Sequence, residues 1–315
     1  MTYSVRHITN FHYQPAVREV VMEVRVQPRN EARQRCLSFS LDVTPRANVM
    51  HYRDFLGNTV HHFDIPGHHQ QIEISAHALV EISASPVPEP RDVPDWEKLD
   101  DSIASGDFWE MLLPSQYTQP SSLLEELAQE LGAERRGNPL ELLLDLNEAV
   151  YRTFAYVPNS TKVDSPIDDA LRARQGVCQD FAHIMTALVR RLRIPCRYVS
   201  GYLFHEAESK DRSSTGATHA WVEAFLGDVG WVAFDPTNQL VGSERHIRVA
   251  LGRDYADVAP TRGVYKGDAE STLSVVVTVA PVNSAASVEL PPPTVIRSKP
   301  LTSGLRNSYQ DQQQQ

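Results

Sequence analysis

Hydrophobic and polar residues alternate with a period of two along much of the first part of the chain. The alternation is clear over residues 20–27, 37–44 and 71–78, where every second position is apolar. Turn-forming residues such as Leu56-Gly57-Asn58 interrupt these runs. Several short strands with no helical segment among them are typical of an antiparallel β-sandwich. We therefore predict an N-terminal β-sandwich domain over residues 1–85.

The pattern changes after a proline-rich segment. Four of the nine residues from Pro86 to Pro94 are prolines, which predicts an extended linker, and we place it over residues 86–120. Helical and strand periods then follow one another, which predicts a second, α+β domain over residues 121–281. The predicted helices of this domain begin at 121, 138 and 178, and its predicted strands cover 196–204, 219–226 and 230–235. Residues 282–315, which end in a run of glutamines, are expected to be disordered.

The composition restricts the classes of function. A net charge of −10 argues against a general nucleic-acid-binding protein, which would carry a basic face. No run of 18 apolar residues occurs, so no membrane-spanning helix is predicted. The chain has only three cysteines and begins without the apolar core of a signal peptide, which favours reduced thiols and a cytoplasmic location. No nucleotide-binding glycine motif or calcium-loop spacing is present, so we expect no cofactor and no metal site.

One of the cysteines, Cys178, lies where a glycine-led turn enters an amphipathic helix. Gly176 permits a close approach of the backbone, and the helix after it shows apolar residues at helical spacing. The first turn of a helix has N–H groups without intrahelical partners and the positive end of the helix dipole, and both favour a thiolate. Cys178 is therefore a candidate nucleophile whose own N–H could donate to an oxyanion. Cys36 and Cys196 are expected to be inert.

A histidine and an aspartate further along the chain complete a candidate triad. His219 begins one predicted strand and Asp235 ends the next, and residues 227–230 between them form the expected hairpin turn. The midpoint of the two positions falls at residue 227, so we expect the side chains to lie nearly opposite each other, ~4.5–5.5 Å apart. Asp235 would then accept the Nδ1–H of His219 and leave Nε2 for the thiol.

At these residues the sequence resembles the transglutaminase-like superfamily of papain-type cysteine enzymes. The matching segments are Gly176-Val177-Cys178-Gln179-Asp180-Phe181-Ala182, Ser200-Gly201-Tyr202, His219-Ala220-Trp221-Val222-Glu223, Gly230-Trp231 and Phe234-Asp235-Pro236-Thr237-Asn238. The bacterial branch with an N-terminal β-domain is the most similar, through Arg53-Asp54-Phe55-Leu56-Gly57-Asn58 and Gly252-Arg253-Asp254-Tyr255-Ala256-Asp257-Val258. The resemblance implies an α+β fold in which a helix carrying the cysteine packs on an antiparallel sheet carrying the other two residues.

The resemblance also implies roles and a reaction. Cys178 would be the nucleophile, His219 the general base and acid, and Asp235 the residue that orients the imidazole. The thiolate would attack a carboxamide carbon of a protein or peptide substrate and form a thioester. An amine would then give a crosslink, and water would give hydrolysis.

A second donor to the oxyanion is less clearly indicated. Animal transglutaminases use a tryptophan upstream of the cysteine, and this chain has none between residues 110 and 177. Tyr156, Asn159 and Gln175 are the alternatives, with Tyr156 ranked first. Other candidates for the surroundings of the triad are Gln179, Asp180, His183, Trp221 and Asn238. Asp180 and His183 could instead bind a metal, but support of the loops around the thiol is preferred, and core packing is the first explanation of Trp221.

Two other functions fit the same residues. One is a purely hydrolytic cysteine protease or amidase of the same fold. The other is a peptide-binding module that keeps the fold without the chemistry. The sequence does not distinguish crosslinking from deamidation or proteolysis, and it leaves the substrate, the role of the N-terminal domain and the oligomeric state open.

Overall fold

The structure is a computed structural model of the chain, and it describes residues 1–31, 33–84, 86–206, 208–282 and 294–297. The strands are β1 (Thr2–Val24), β2 (Gln34–Thr44), β3 (Met50–Arg53), β4 (Thr59–Ile65), β5 (His69–Ile82), β6 (Ala155–Tyr156), β7 (Gln175–Gly176), β8 (Cys196–Leu203), β9 (His219–Phe225), β10 (Trp231–Asp235), β11 (Leu240–Val241), β12 (His246–Gly252), β13 (Thr261–Lys266), β14 (Glu270–Pro281) and β15 (Thr294–Arg297). The helices are α1 (Trp96–Ala104), α2 (Trp109–Leu112), α3 (Ser122–Glu130), α4 (Pro139–Thr153), α5 (Ile167–Ala173), α6 (Cys178–Arg191) and α7 (Tyr255–Val258).

The long strand β1 organises the N-terminal sheet because it changes partners along its length. Up to Val17 it pairs antiparallel with β5 and β14, and from Arg18 onward it pairs with β4 and β13. β2 extends the sheet at β5, β3 at β4, and β15 at β14. Val20, Met22 and Val24 are buried on one face, as a period of two requires. The predicted antiparallel β-structure is confirmed.

The predicted domain boundaries need correction. β13 and β14 were assigned to the second domain, but both pair with β1 and so complete the N-terminal sheet. Residues 86–120 are not a plain linker, because they contain α1 and α2. The predicted disordered tail includes β15, which pairs with β14, while residues 283–293 and 298–315 lie outside the described residues. Local periodicity identifies a strand but not its partner, which explains why the return of the chain was missed.

The second half of the chain forms the predicted α+β unit. Its antiparallel sheet has the strand order β11-β10-β9-β8-β12, and α6 packs on β8 and β9 and also contacts α3, α4 and α5. Residues 178–190 of α6 are all buried, so this helix is the centre of the core. Two of the helices begin where predicted, with Ser121 and Asn138 as caps: Ser121 Oγ accepts from the Leu124 N–H, and Asn138 Oδ1 accepts from the Leu140 N–H. None of the helices in the described ranges is both long and apolar enough to cross a membrane.

Side-chain amides from the N-terminal sheet hold β12 in place. Asn58, which is fully buried, donates to the Leu251 carbonyl and accepts from the Leu251 N–H, both at 2.8 Å. Gln34 makes the same pair of bonds with the backbone of Arg248, also at 2.8 Å. An edge strand otherwise has unpaired backbone groups on its open side, and here the two side chains satisfy those of Arg248 and Leu251. The N-terminal part of the chain therefore positions one edge of the second sheet.

Candidate active site

Cys178 is the first residue of α6 and is buried, with 5 % of its surface exposed. The Asp180 carboxylate folds back over the start of the helix, where it accepts from the Val177 N–H at 2.9 Å and from the Thr161 hydroxyl at 2.6 Å. A Cβ atom on Gly176 would lie 2.7 Å from Asp180 Oδ2, so glycine is needed to admit the carboxylate. Burial raises the pKa of Asp180 to about 6.

His219 is the first residue of β9, and its Nε2 donates to Asp235 Oδ2 at 2.8 Å. Its other ring nitrogen, Nδ1, is buried without a hydrogen-bond partner. Burial alone would lower the pKa of His219, but Asp235 and, to a smaller degree, the nearby Cys178 thiol outweigh burial and raise it. Because Nε2 is bound to Asp235, the nitrogen available to Cys178 is Nδ1. The prediction that Asp235 accepts from Nδ1 and leaves Nε2 for the thiol is therefore wrong, because the two ring nitrogens exchange these positions.

The hairpin register also differs from the expected one. Val222 pairs with Phe234 and Glu223 with Ala233, which places Asp235 opposite Trp221 rather than opposite His219. The reason is the 3-10 turn at Gly227–Val229, which centres the hairpin on residue 228 instead of 227. His219 and Asp235 are thus diagonal neighbours, and their side chains still meet across the pair through the bond between Nε2 and Oδ2.

The Asp235 carboxylate is surrounded by hydrogen-bond donors. Oδ1 accepts from the backbone N–H groups of Thr237 at 3.0 Å and Asn238 at 3.2 Å. Oδ2 accepts from the His219 ring, from the Asn238 side-chain amide at 2.9 Å and from His246 Nε2 at 3.1 Å. Burial alone would raise the pKa of Asp235, but the two histidines outweigh burial and hold it well below its usual value. Asp235 is therefore an ionised acceptor.

His246 was missed by the sequence analysis. It begins β12, where its Nδ1 lies 2.8 Å from the Ser243 hydroxyl, and burial lowers its pKa although Asp235 opposes the effect. His219, Asp235 and His246 bring three possible metal-ligand atoms within 4.8 Å of one another. In this arrangement, however, those atoms are hydrogen-bonded to each other, so the geometry is that of a proton network. In the sequence, the only sign of the contact between His246 and Asp235 is the position of His246 at the start of a strand, shortly after Ser243.

Trp221 packs against both imidazoles. Its ring centroid lies 5.9 Å from that of His219 and 4.9 Å from that of His246, and its side chain is fully buried. A Cβ atom on Gly201 would lie 2.7 Å from the Trp221 ring and still closer to the Ile247 carbonyl. The glycine of the Ser200-Gly201-Tyr202 segment therefore makes room for the tryptophan. Trp221 excludes water from one side of the histidine pair.

Tyr156 lies close to the thiol and is tied to a loop. Burial, followed by the charge of Cys178, raises the pKa of Tyr156 to about 12. Its hydroxyl accepts from the Ser214 N–H at 3.3 Å and lies 3.2 Å from the Ser214 hydroxyl. Asn238 holds the same loop through the Ser213 hydroxyl, at 3.0 Å. Asn238 thus joins Asp235 to the loop that supports Tyr156.

The other residues singled out from the sequence have separate surroundings. Gln175 lies in β7, half-buried, and Asn159 adopts a left-handed backbone conformation with φ 62°. Gln179 Nε2 donates to the Val163 carbonyl at 2.9 Å. His183 Nε2 accepts from the Tyr255 N–H at 3.2 Å, and burial lowers the pKa of His183 to about 3. His183 is therefore a neutral residue that holds α7, apart from Asp180.

A small cavity adjoins the thiol. Its volume of about 10 Å³ is near the space that one water molecule needs. The lining residues are Cys178, Gln179, Tyr198, Ser200, Thr218, His219, Ala220, Tyr255 and Pro260. Tyr198 was missed because it lies within a strand that looks like ordinary core. Burial, with the charge of Cys178 as the next cause, raises the pKa of Tyr198 well above its usual value.

The chain resembles known proteins over nearly its whole length. Residues 3–81 match the bacterial transglutaminase-like N-terminal region, and residues 125–236 match the transglutaminase-like superfamily. An uncharacterised protein of Mycobacterium leprae is 31% identical over 276 residues, which cover 87% of this chain and 97% of the length of that protein. An uncharacterised protein of Mycobacterium tuberculosis is 33% identical over 301 residues, 90% of this chain and 94% of its own.

A solved structure shares the fold. It comes from Cytophaga hutchinsonii and is provisionally named a cysteine protease; it is 24% identical, with a TM-score of 0.74 over 91% of this chain and 92% of its own. A protein-glutamine gamma-glutamyltransferase of Pseudomonas aeruginosa is 30% identical over 120 residues, 33% of this chain and 17% of its own. From the matched regions and the full-length relatives, the chain belongs to the transglutaminase-like superfamily, in the branch with the bacterial transglutaminase-like N-terminal region.

Proposed function

We propose that the protein is a thiol enzyme that performs acyl transfer or hydrolysis at a carboxamide of a protein or peptide. The observation that carries the proposal is the placement of His219: its Nε2 is bound to Asp235, its Nδ1 is buried and not taken by another of the described residues, and the nearby Cys178 thiol contributes to its raised pKa. A cysteine at a helix start, an imidazole with a raised pKa and a buried carboxylate form the arrangement that nucleophilic catalysis requires.

The proposed first half-reaction uses all three side chains. His219 Nδ1 takes the thiol proton, and the Cys178 sulfur attacks the carboxamide carbon. The oxyanion accepts from the Cys178 N–H, which has no intrahelical partner at the first helical position, and from a second donor, for which we propose Tyr156. His219 then gives its proton to the departing amine, and a thioester remains. Asp235 holds the imidazolium through Nε2 in both steps.

The second half-reaction decides between transferase and hydrolase. The Pseudomonas aeruginosa relative is named as a glutamyltransferase, which supports attack by an amine on the thioester. The cavity beside the thiol is about the size of one water molecule, so it is compatible with hydrolysis, the activity of a cysteine protease or amidase. Both reactions begin with the same thioester, so both require an activated Cys178.

Alkylation by iodoacetamide tests the activation directly. Cys36 is the internal comparison, because it is partly exposed while Cys178 is buried, and burial raises the pKa of Cys36. We expect Cys178 to react much faster than Cys36 near neutral pH, and His219→Ala to remove the difference. Cys196 is fully buried with a pKa raised to about 12 and should not react. Equal slow labelling of Cys36 and Cys178 in the native protein would favour a binding module.

Product analysis then separates the two reactions. The protein is incubated with a glutamine-containing peptide and a labelled primary amine, and Cys178→Ala is the control. Incorporated amine supports the transferase, whereas released ammonia or cleaved peptide without incorporation supports the hydrolase. No product of either kind from a protein whose Cys178 is rapidly alkylated would contradict the proposed substrate class.

A further inference from the structure

Beside the strand that leads to Cys178 lies an open cavity of about 560 Å³. Arg152, Arg174 and Arg212 surround it, and Phe154 and Tyr156 form the aromatic part of its wall. Three arginines around one cavity are unexpected in a chain with a net charge of −10. The cavity therefore carries three guanidinium groups at its wall and rim, although the protein as a whole is acidic.

The cavity is close to the thiol along the backbone. Ala155 and Tyr156 of β6 pair in parallel with Gln175 and Gly176 of β7, which immediately precede the turn to Cys178. Tyr156 both lines the cavity and interacts with the charge of Cys178. An extended substrate advances about 3.3 Å per residue, so a neighbour of the reacting residue can reach the cavity.

Two of the arginines lie at the exposed rim. Arg152 pairs with Glu148 at 2.5 Å and Arg174 pairs with Glu130 at 2.5 Å, and both ion pairs are solvent-exposed. Exposed ion pairs contribute only about 0–1 kcal/mol, because water and salt screen them. The two guanidinium groups can therefore exchange these partners for an incoming carboxylate at little cost.

The third arginine, Arg212, is held by the backbone. It donates to the Tyr151 carbonyl at 2.6 Å and lies over the Tyr151 ring, 3.4 Å from the centroid. Among the described residues, no carboxylate lies within salt-bridge distance of it. Its guanidinium thus contributes a fixed positive charge to the cavity wall, in an orientation set by the end of α4.

We propose that this cavity is a subsite for an acidic residue of the substrate, adjacent in sequence to the residue that carries the reacting carboxamide. This inference rests on the proposed function for its location and on the three arginines for its chemistry. A carboxylate suits the planar, two-pronged donor geometry of arginine, and the aromatic wall packs against the methylene groups of a glutamate side chain.

Binding is measured with the Cys178→Ala variant, so that no turnover interferes. The probes are two fluorescein-labelled pentapeptides with a central glutamine, one flanked by glutamates and the other by glutamines. We expect the acidic peptide to bind about tenfold more tightly, from two or three partly screened charge pairs. The additional substitutions Arg152→Gln and Arg174→Gln should reduce the preference to the part that Arg212 alone supplies, and raised salt should weaken it.

Arg35→Gln is the matched control, because Arg35 is an exposed arginine of the N-terminal sheet that pairs with Glu81 at 3.4 Å. It should leave the preference unchanged. Equal binding of the two peptides, or a preference that is undiminished by loss of both rim arginines in a variant with an unchanged thermal unfolding midpoint, would overturn the subsite. Binding does not depend on turnover, so the two proposals can fail separately. The acidic peptide can bind more tightly even where alkylation shows that Cys178 is not activated. Equally, Cys178 can be activated in a protein that binds the two peptides alike.

Discussion

His219 and His246 place their Nε2 atoms on the same oxygen of Asp235, at 2.8 and 3.1 Å. The two rings differ in the direction of their pKa shifts: that of His219 is raised and that of His246 is lowered. At neutral pH, Asp235 therefore faces one imidazole that is readily protonated and one that is neutral. The neutral ring donates through Nε2 while Nδ1 accepts from the Ser243 hydroxyl. We therefore expect His246 to act through Asp235, as a positioning residue.

Replacement of His246 tests this role. His246→Phe removes the donor to Asp235 while keeping an aromatic ring beside Trp221, and we expect kcat/KM to fall about tenfold, as for loss of ~1.4 kcal/mol from one hydrogen bond to a charged group. Loss of the donor leaves more negative charge facing His219, so the alkaline limb of the pH–rate profile should move to higher pH. His246→Gln, which can restore a donor, should recover part of both effects. A lower kcat/KM without a shift of the alkaline limb of the pH–rate profile would indicate that His246 has only a structural role.

Asp235→Asn should have the larger effect on activity. The amide cannot stabilise the imidazolium of His219, and loss of that stabilisation in the Ser-His-Asp proteases costs about 10⁴ in kcat. We expect a loss of about 10²–10⁴ and a shift of the alkaline limb to lower pH, opposite in direction to that of His246→Phe. Asp42→Asn, an exposed aspartate of β2, is the control. A loss of less than tenfold would remove Asp235 from the triad.

The His219–Asp235 pair also predicts how stability depends on pH. The raised pKa of His219 stabilises the fold fully below its unfolded value of 6.5, and that contribution is lost as the pH rises through the folded pKa. The lowered pKa of Asp235 stabilises the fold above 3.8, and that contribution is lost as the pH falls through the folded pKa. The difference in unfolding free energy between the wild type and Asp235→Asn should therefore be greatest near pH 5. Urea unfolding at pH 5, 7 and 9 measures it, and a difference that grows toward pH 9 would contradict the pair.

The sequence predicted the elements of the site better than their mutual orientation. Cys178, His219 and Asp235 lie at the predicted ends of α6, β9 and β10, because local periodicity and turn residues define where each element begins or ends. Strand periodicity shows which face a side chain occupies, but not which ring nitrogen faces Asp235. His246 and the pairing of β14 with β1 depend on contacts between distant segments, and no local pattern encodes those.

Gly176→Ala should destabilise the start of α6. The added Cβ would lie 2.7 Å from Asp180 Oδ2, so the carboxylate that accepts from the Val177 N–H would have to move. Overpacking of this kind costs about 1–3 kcal/mol, and we expect that loss in urea unfolding. Gly67→Ala is the matched control, since no atom lies within 4 Å of its added Cβ, and its stability should change little. Equal stability of the two variants would show that Asp180 can move freely.

Asn58→Ala tests whether the N-terminal sheet supports the active site through β12. The substitution leaves the buried N–H and carbonyl of Leu251 without their partners at 2.8 Å, and two unsatisfied groups predict a loss of about 3 kcal/mol in unfolding free energy. Because β12 begins with His246, the alkaline limb of the pH–rate profile should also move in the direction expected for His246→Phe, measured at a temperature where the variant is fully folded. Gln71→Ala, an exposed amide in β5, should change neither quantity. A destabilised Asn58→Ala variant with an unmoved limb would mean that the N-terminal sheet stabilises β12 without positioning His246.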